Sequence, residues 1–148
     1  MNPKVRKAQF DDIKWVNEMY DQVQFPHSNF ENEFIAIAEI NQEKIGLGRI
    51  ININDKNAEM GGMYVLEPFR SFGASTKIIE FLLENNKNYE NIFCLPFEKL
   101  KDYYGKFGFE LLAENEYSKV PEKILKKHKW CNETFEDKVL LLKLNTII

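Results

Sequence analysis

Cysteine is scarce in this chain, with two in 148 residues, Cys94 and Cys131. They form neither a CxxC pair nor a disulfide framework, which excludes a disulfide-stapled scaffold. Both read as small apolar residues in a reduced cytoplasm, the expected compartment. Histidine is equally scarce, with two, and these lie scattered from the cysteines, so no metal site is expected. No apolar run approaches the ~20 residues of a membrane span, and the stretch from Met1 to Lys7 lacks the apolar core of a signal peptide. Basic charge is in slight deficit: 20 Lys plus Arg against 23 Asp plus Glu, a net charge of −3. Bulk charge therefore gives no footprint for nucleic acid. Neither nucleic acid nor a membrane is an expected partner. Repeats, low-complexity tracts and linker-like boundaries are also missing, so residues 1–148 are expected to form one domain with a sizeable core.

What is present is a regular alternation of strand and helix signals. Val5 to Lys7 reads as a first strand. Asp11 or Asp12 is placed to cap a helix through Gln22, with Ile13, Val16, Met19 and Tyr20 on one face. The segment from Gln24 to Asn32 is irregular around Pro26, with room for a helical turn. Glu33 to Ile40, Lys44 to Ile53 and Ala58 to Val65 read as three hairpin-linked strands, with Gly61-Gly62 marking a bend in the third. A helix follows from Ser75 to about Asn86, with Ile78, Ile79, Leu82 and Leu83 inward. Asn91 to Leu95 is a short buried strand stopped by Pro96. Glu98 to Phe107 is helical and ends at Gly108. Phe109 to Ala113 is a strand, Pro121 opens a basic helix through about Lys129, and Val139 to Leu144 is a final strand. This order predicts an α+β (mixed α/β) domain: a mixed, mostly antiparallel sheet of about seven strands with helices on both faces.

The segment from Met63 to Thr76 carries the clearest chemistry. An apolar strand runs through a small-residue turn directly into a helix. Helix starts leave backbone N–H groups outside the helical ladder and carry partial positive charge, which suits a phosphate. Small residues let an anion approach, and Arg70 adds a fixed charge at the rim. An ordinary strand-to-helix turn has the same appearance, and both readings stand on this stretch alone.

Three features in order resemble the GNAT superfamily of acetyl-CoA-dependent N-acetyltransferases. Arg70-Ser71-Phe72-Gly73-Ala74-Ser75 resembles the family's Arg/Gln-x-x-Gly-x-Gly/Ala pyrophosphate loop. Tyr103-Tyr104-Gly105-Lys106-Phe107-Gly108-Phe109 resembles its aromatic-Tyr-x-Lys-x-Gly-Phe segment. The element order matches its core. Many members carry Gly where this chain has Ser71 and Ser75, and the family's usual Asn falls at Phe97. Ala58 to Val65 and Val120 to Ile124 are similar to segments of the N-acetylglutamate-synthase-like branch, a hint toward amino-acid-like acceptors.

The resemblance implies acetyl-CoA as co-substrate and no metal. Its pyrophosphate would lie on Arg70, Ser71, Phe72, Gly73, Ala74 and Ser75, and its pantetheine arm along the backbone of Met63, Tyr64 and Val65. An N–H near Tyr64 or Val65 would stabilise the oxyanion. Tyr104 would be the general acid, its phenol near pKa ~10 serving a thiol near ~8.5. Core aromatic is the alternative for Tyr104. Glu59 is the base candidate, with a solvated or salt-bridged strand carboxylate as the alternative; Glu33 and His27 are further acceptor-site candidates. The basic stretch Lys119, Lys123, Lys126, Lys127, His128 and Lys129 reads as a solvated helix face, or as a patch for an acceptor carboxylate or for the cofactor's ribose phosphate. The expected activity is acetyl transfer to a primary amine of a small molecule by direct attack in a ternary complex. A protein lysine or N-terminal acetyltransferase and a non-catalytic CoA-binding module are the alternatives. A homodimer is the assembly that the resemblance raises.

Overall fold

In the computed structural model, residues 2–145 are described. Seven strands run in the order β1-β2-β3-β4-β5-β7-β6: β1 Lys4–Lys7, β2 Glu33–Ile40, β3 Glu43–Asn52, β4 Asn57–Val65, β5 Asn91–Cys94, β6 Phe109–Leu111 and β7 Leu142–Leu144. The helices are α1 Ile13–Gln22, α2 Ala74–Glu84, α3 Lys101–Gly105 and α4 Glu122–Thr134. β1–β2, β2–β3, β5–β7 and β6–β7 pair antiparallel, and β4–β5 pair parallel. The mixed, mostly antiparallel sheet is thus the one expected. The chain divides into two compact units, changing from one to the other after Ile51, after Met60 inside β4 and after Lys87.

The first unit takes the chain up to Ile51 together with Gly61–Lys87. Its apolar spacing dictates its core. Val16, Met19 and Tyr20 of α1 pack with Ile35 and Ile37 of β2 and Leu47 of β3, and Ile13 joins them part-buried. α2 turns Ile78, Ile79 and Leu82 fully inward and packs on β1 and β2. The β2–β3 hairpin closes on two residues rather than three. Asn41 and Gln42 both take left-handed φ, 51° and 67°, the geometry that matches strand twist in a tight hairpin. Asp12 does not cap α1 through its side chain. Its carboxylate instead takes the Gln9 N–H and the cations of Arg6 and Lys44, and the two charged donors are stronger than a helix N–H.

The second unit takes Asn52–Met60 and the chain from Asn88 onward. Phe93, Leu112, Val120, Ile124 and Leu141 form its core. Here the boundaries depart from expectation. The 98–107 helix divides into a 3₁₀ turn over Glu98–Leu100 and the short α3, and of its apolar side only Tyr104 is buried. The basic helix continues past Lys129 to Thr134. β6 ends at Leu111, and β7 begins only at Leu142. Val139 lies outside that strand, in an isolated antiparallel bridge with Phe97, and its own N–H and carbonyl turn to the Asn132 amide at 2.8 and 2.9 Å. Glu114–Lys119, between β6 and α4, forms a 3₁₀ turn.

Candidate active site

The first unit holds the candidate donor segment. β4 ends at Val65, and Leu66 N–H donates to Ile45 O at 2.8 Å. Glu67–Phe72 then winds into a 3₁₀ turn opened by Pro68. Arg70 does not extend freely from the rim. Its Nε donates back to Val65 O at 2.8 Å, and its guanidinium lies 5.8 Å from the Tyr64 ring centroid. The turn and the end of β4 are thereby fastened together. Gly73 follows at φ 75°, at once the last residue of the turn and the N-cap of α2. No heavy atom lies within 4 Å of where its Cβ would stand. The first helical bond runs from Lys77 N–H to Gly73 O at 3.3 Å. An open glycine turn over the start of an eleven-residue helix has the room and the polarity that a pyrophosphate needs.

The bend expected at Gly61-Gly62 falls at Gly62, with φ 63°. Tyr20 Oη donates to Gly62 O at 2.9 Å, and a Cβ on Gly62 would come within 2.8 Å of Arg49 Nε. Only glycine satisfies both the backbone and the space. Arg49 is a buried residue that sequence reading did not single out. It donates to Ser28 Oγ at 2.7 Å, Glu33 Oε1 at 3.3 Å and Pro26 O at 3.1 Å, and lies 4.3 Å from the Tyr20 ring centroid. Its Nε is a buried side-chain atom without a hydrogen-bond partner. This cluster pins the irregular 24–32 segment to β3. Glu33 is therefore held by Arg49, with its second oxygen accepting from Asn29 N–H at 3.0 Å, and exposed His27 meets Asp21 at 2.6 Å.

The second unit holds both candidate acid–base residues. Tyr104 on α3 is 6% exposed, packed edge-on against Tyr103 and Phe109. Burial, followed by Cys94 and Tyr103 nearby, pushes its phenol well above the ordinary tyrosine range. It therefore holds its proton across the working range of pH. Cys94 is fully enclosed, and burial likewise pushes its thiol far up, which suppresses the thiolate. Glu59 lies on β4 opposite Phe93 of β5 and is buried. Its Oε2 meets Lys127 Nζ at 2.8 Å. The salt-bridged alternative thus describes the ground state of this carboxylate, and Lys127 leaves the solvated face assigned to its stretch. Lys126 keeps to that face, meeting Glu122 at 3.3 Å in an exposed pair. No group of His, Cys, Asp and Glu suited to a metal occurs among the described residues. No helix among them is long and apolar enough to cross a membrane.

A fold of this order with a glycine turn at a helix start defines a class, and comparison with known proteins settles which. The family profile described as Acetyltransferase (GNAT) domain matches residues 31–111, more than half of the chain. The chain belongs to the GNAT acetyltransferase family. Solved structures share its fold at low identity. Rv2747 from Mycobacterium tuberculosis, in complex with CoA and NLQ, is 15% identical with a TM-score of 0.73, over 97% of this chain and 99% of that one. N-acetylglutamate synthase from Neisseria gonorrhoeae, complexed with coenzyme A and L-arginine, is 14% identical with a TM-score of 0.70, over 98% of this chain and 34% of that one. Naa50 from Arabidopsis thaliana, in complex with the bisubstrate analogue CoA-Ac-MVNAL, is 16% identical with a TM-score of 0.66, over 99% and 100%. No curated protein sequence matches the chain.

Proposed function

We propose that this chain moves the acetyl group of acetyl-CoA to a primary amine of a small molecule, by direct attack in a ternary complex. The observation that carries the reading is the open Gly73 turn at the start of α2, fastened to β4 through Arg70. Acetyl-CoA is the co-substrate: its pyrophosphate sits over Ser71 to Ser75, and its pantetheine arm runs along Met63 to Val65. The CoA complexes of the similar structures support that choice of donor.

Glu59 takes a proton from the acceptor's ammonium. The neutral nitrogen attacks the thioester carbonyl, forming the C–N bond. Backbone N–H near Tyr64 or Val65 holds the oxyanion. The C–S bond breaks as the intermediate collapses, and Tyr104 gives its proton to the sulfur. The nitrogen's remaining surplus proton replaces the one Tyr104 gave. Products are the N-acetyl amide and the free CoA thiol, with one proton released through Glu59. Direct attack is favoured over an acetyl-enzyme because the enclosed Cys94 thiol stays protonated.

The peptide-acceptor reading draws support from the full-length likeness to the Naa50 structure. Calorimetric titration with acetyl-CoA, beside its 3′-dephospho form and ADP, tests the donor. A panel of amines and peptide N-termini, read by thiol release, tests the acceptor. Micromolar acetyl-CoA binding with turnover of small amines is the expected result. Turnover of peptides alone would move the assignment to the second reading. Binding without turnover of either would leave a CoA-binding module.

A further inference from the structure

α4 presents Ile124, Lys127 and Cys131 inward, at helical spacing on one face. Ile124 and Cys131 are buried and apolar in character. Lys127 is the exception on that face, and it points its ammonium at Glu59, 2.8 Å away. The Glu59 side chain is 7% exposed and that of Lys127 38% exposed. The carboxylate is therefore enclosed, while the lysine side chain that covers it is part-exposed. Ion pairs placed this way add little to stability relative to well-packed apolar residues, so stability alone does not explain a lysine on this face.

The charge arithmetic of this neighbourhood is simple. Cys94 and Cys131 feel both Glu59 and Lys127, and burial pushes both thiols up, so they stay neutral. Tyr104, which feels Cys94, stays neutral as well. Among these groups one negative and one positive charge remain, on Glu59 and Lys127. A plain amine arriving as an ammonium would meet Lys127 beside the very carboxylate it needs, and taking Glu59 would leave Lys127 without its partner. An acceptor that also carries a carboxylate removes both costs. Its carboxylate takes Lys127 while its ammonium takes Glu59, and one ion pair is exchanged for two with no charge left over.

We infer that Lys127 masks Glu59 and makes this chain select amine acceptors that carry a carboxylate beside the amine, such as α-amino acids, over amines that lack one. The inference rests on the acetyltransferase reading above and on Glu59 as the base. The test measures kcat/KM for α-amino acids and for their α-amides, which differ at the anionic group, with the wild-type protein and with Lys127→Met and Lys127→Arg. The wild type is expected to favour the acids at least tenfold. Lys127→Met should lower that ratio at least tenfold, through a raised KM for the acids and a raised kcat/KM for the amides. Lys127→Arg, which keeps the cation, should keep the preference. Equal rates for acids and amides in the wild type would overturn the inference and leave the acetyltransferase reading standing. So would an unchanged ratio in Lys127→Met. The wild-type comparison needs no variant, so it decides the matter even where Lys127→Met fails to fold. Failure to acetylate any amine while acetyl-CoA binds would instead overturn the proposed reaction, and this inference with it.

Discussion

The two units handle buried charge differently. In the first, each buried charged group has several partners. Arg49 spreads over Ser28, Glu33, Pro26 and the face of Tyr20, and Asp12 takes Arg6, Lys44 and the Gln9 N–H. In the second, Glu59 has a single ionic partner among the described residues, Lys127, near the neutral Cys94. Groups with many partners are locked, because exchanging one breaks several bonds in a low-dielectric setting. A group with one partner exchanges it at the cost of one contact. The first unit thus uses buried charge to hold segments in place, while the second leaves Glu59 with a partner that can be exchanged, as the proposed acid–base role of this carboxylate requires.

The largest expected effect tests the reactive side of that contrast. Tyr104→Phe should lower kcat by 10²- to 10⁴-fold, the usual contribution of a placed general acid. Acetyl-CoA affinity by calorimetry should stay intact. Unchanged kcat would make Tyr104 a core aromatic and remove the acid from the second unit. Next is the locked side. Arg49→Met leaves the buried carboxylate of Glu33 without its cation and should cost about 3–5 kcal/mol in urea denaturation. A loss below ~1 kcal/mol, the scale of an exposed pair, would break the comparison, since Arg49 would then be no anchor.

Asp12 sharpens the same point through pH. The Arg6 guanidinium, with help from the Gln9 N–H and Lys44 and against the effect of burial, holds this carboxyl well below the usual carboxylate range. A depressed folded value means that its stabilisation is present above the unfolded value near 3.9 and is lost as pH falls below it. Asp12→Asn should cost about 2 kcal/mol at pH 7. It should also flatten the fall in stability below about pH 4, seen as a gap between variant and wild type that narrows with acid. The smallest effect belongs to Gly73. Ala at φ 75° meets no neighbour, so only the left-handed backbone penalises it, by about 1 kcal/mol in denaturation. Acetyl-CoA affinity should fall severalfold alongside, and unchanged affinity would remove the pyrophosphate from this turn.

Much of the fold was legible because its signals are local. The alternation in β2 through β4 and the 3.6-residue spacing in α1 and α2 place these elements within a residue or two of their expected bounds. Where the expectation missed, a longer-range partner intervened. Val139 reads as strand by composition, yet Asn132 takes both of its backbone groups. The helix after Pro121 is read as ending near Lys129, yet it runs on to Thr134, with Cys131 buried on the same face as Ile124. The donor turn was legible as a motif because strand, glycine and helix start are contiguous. The charge partners of Glu59 and Glu33 were not, since Lys127 stands 68 residues from Glu59 and Arg49 is 16 residues from Glu33 on the next strand.

By itself the sequence determined the element order, the inward faces of α1 and α2, the bend at Gly61-Gly62 and the GNAT resemblance that the family match bears out. Each of these is written in contacts between near neighbours, where spacing and backbone preference act within one or two turns of chain. Only the tertiary structure decided which charges meet. It set Lys127 against Glu59, gathered Pro26, Ser28 and Glu33 around Arg49, and turned Arg70 back onto Val65. An ion pair forms wherever folding removes two charges from water side by side, and sequence patterns do not record that distance.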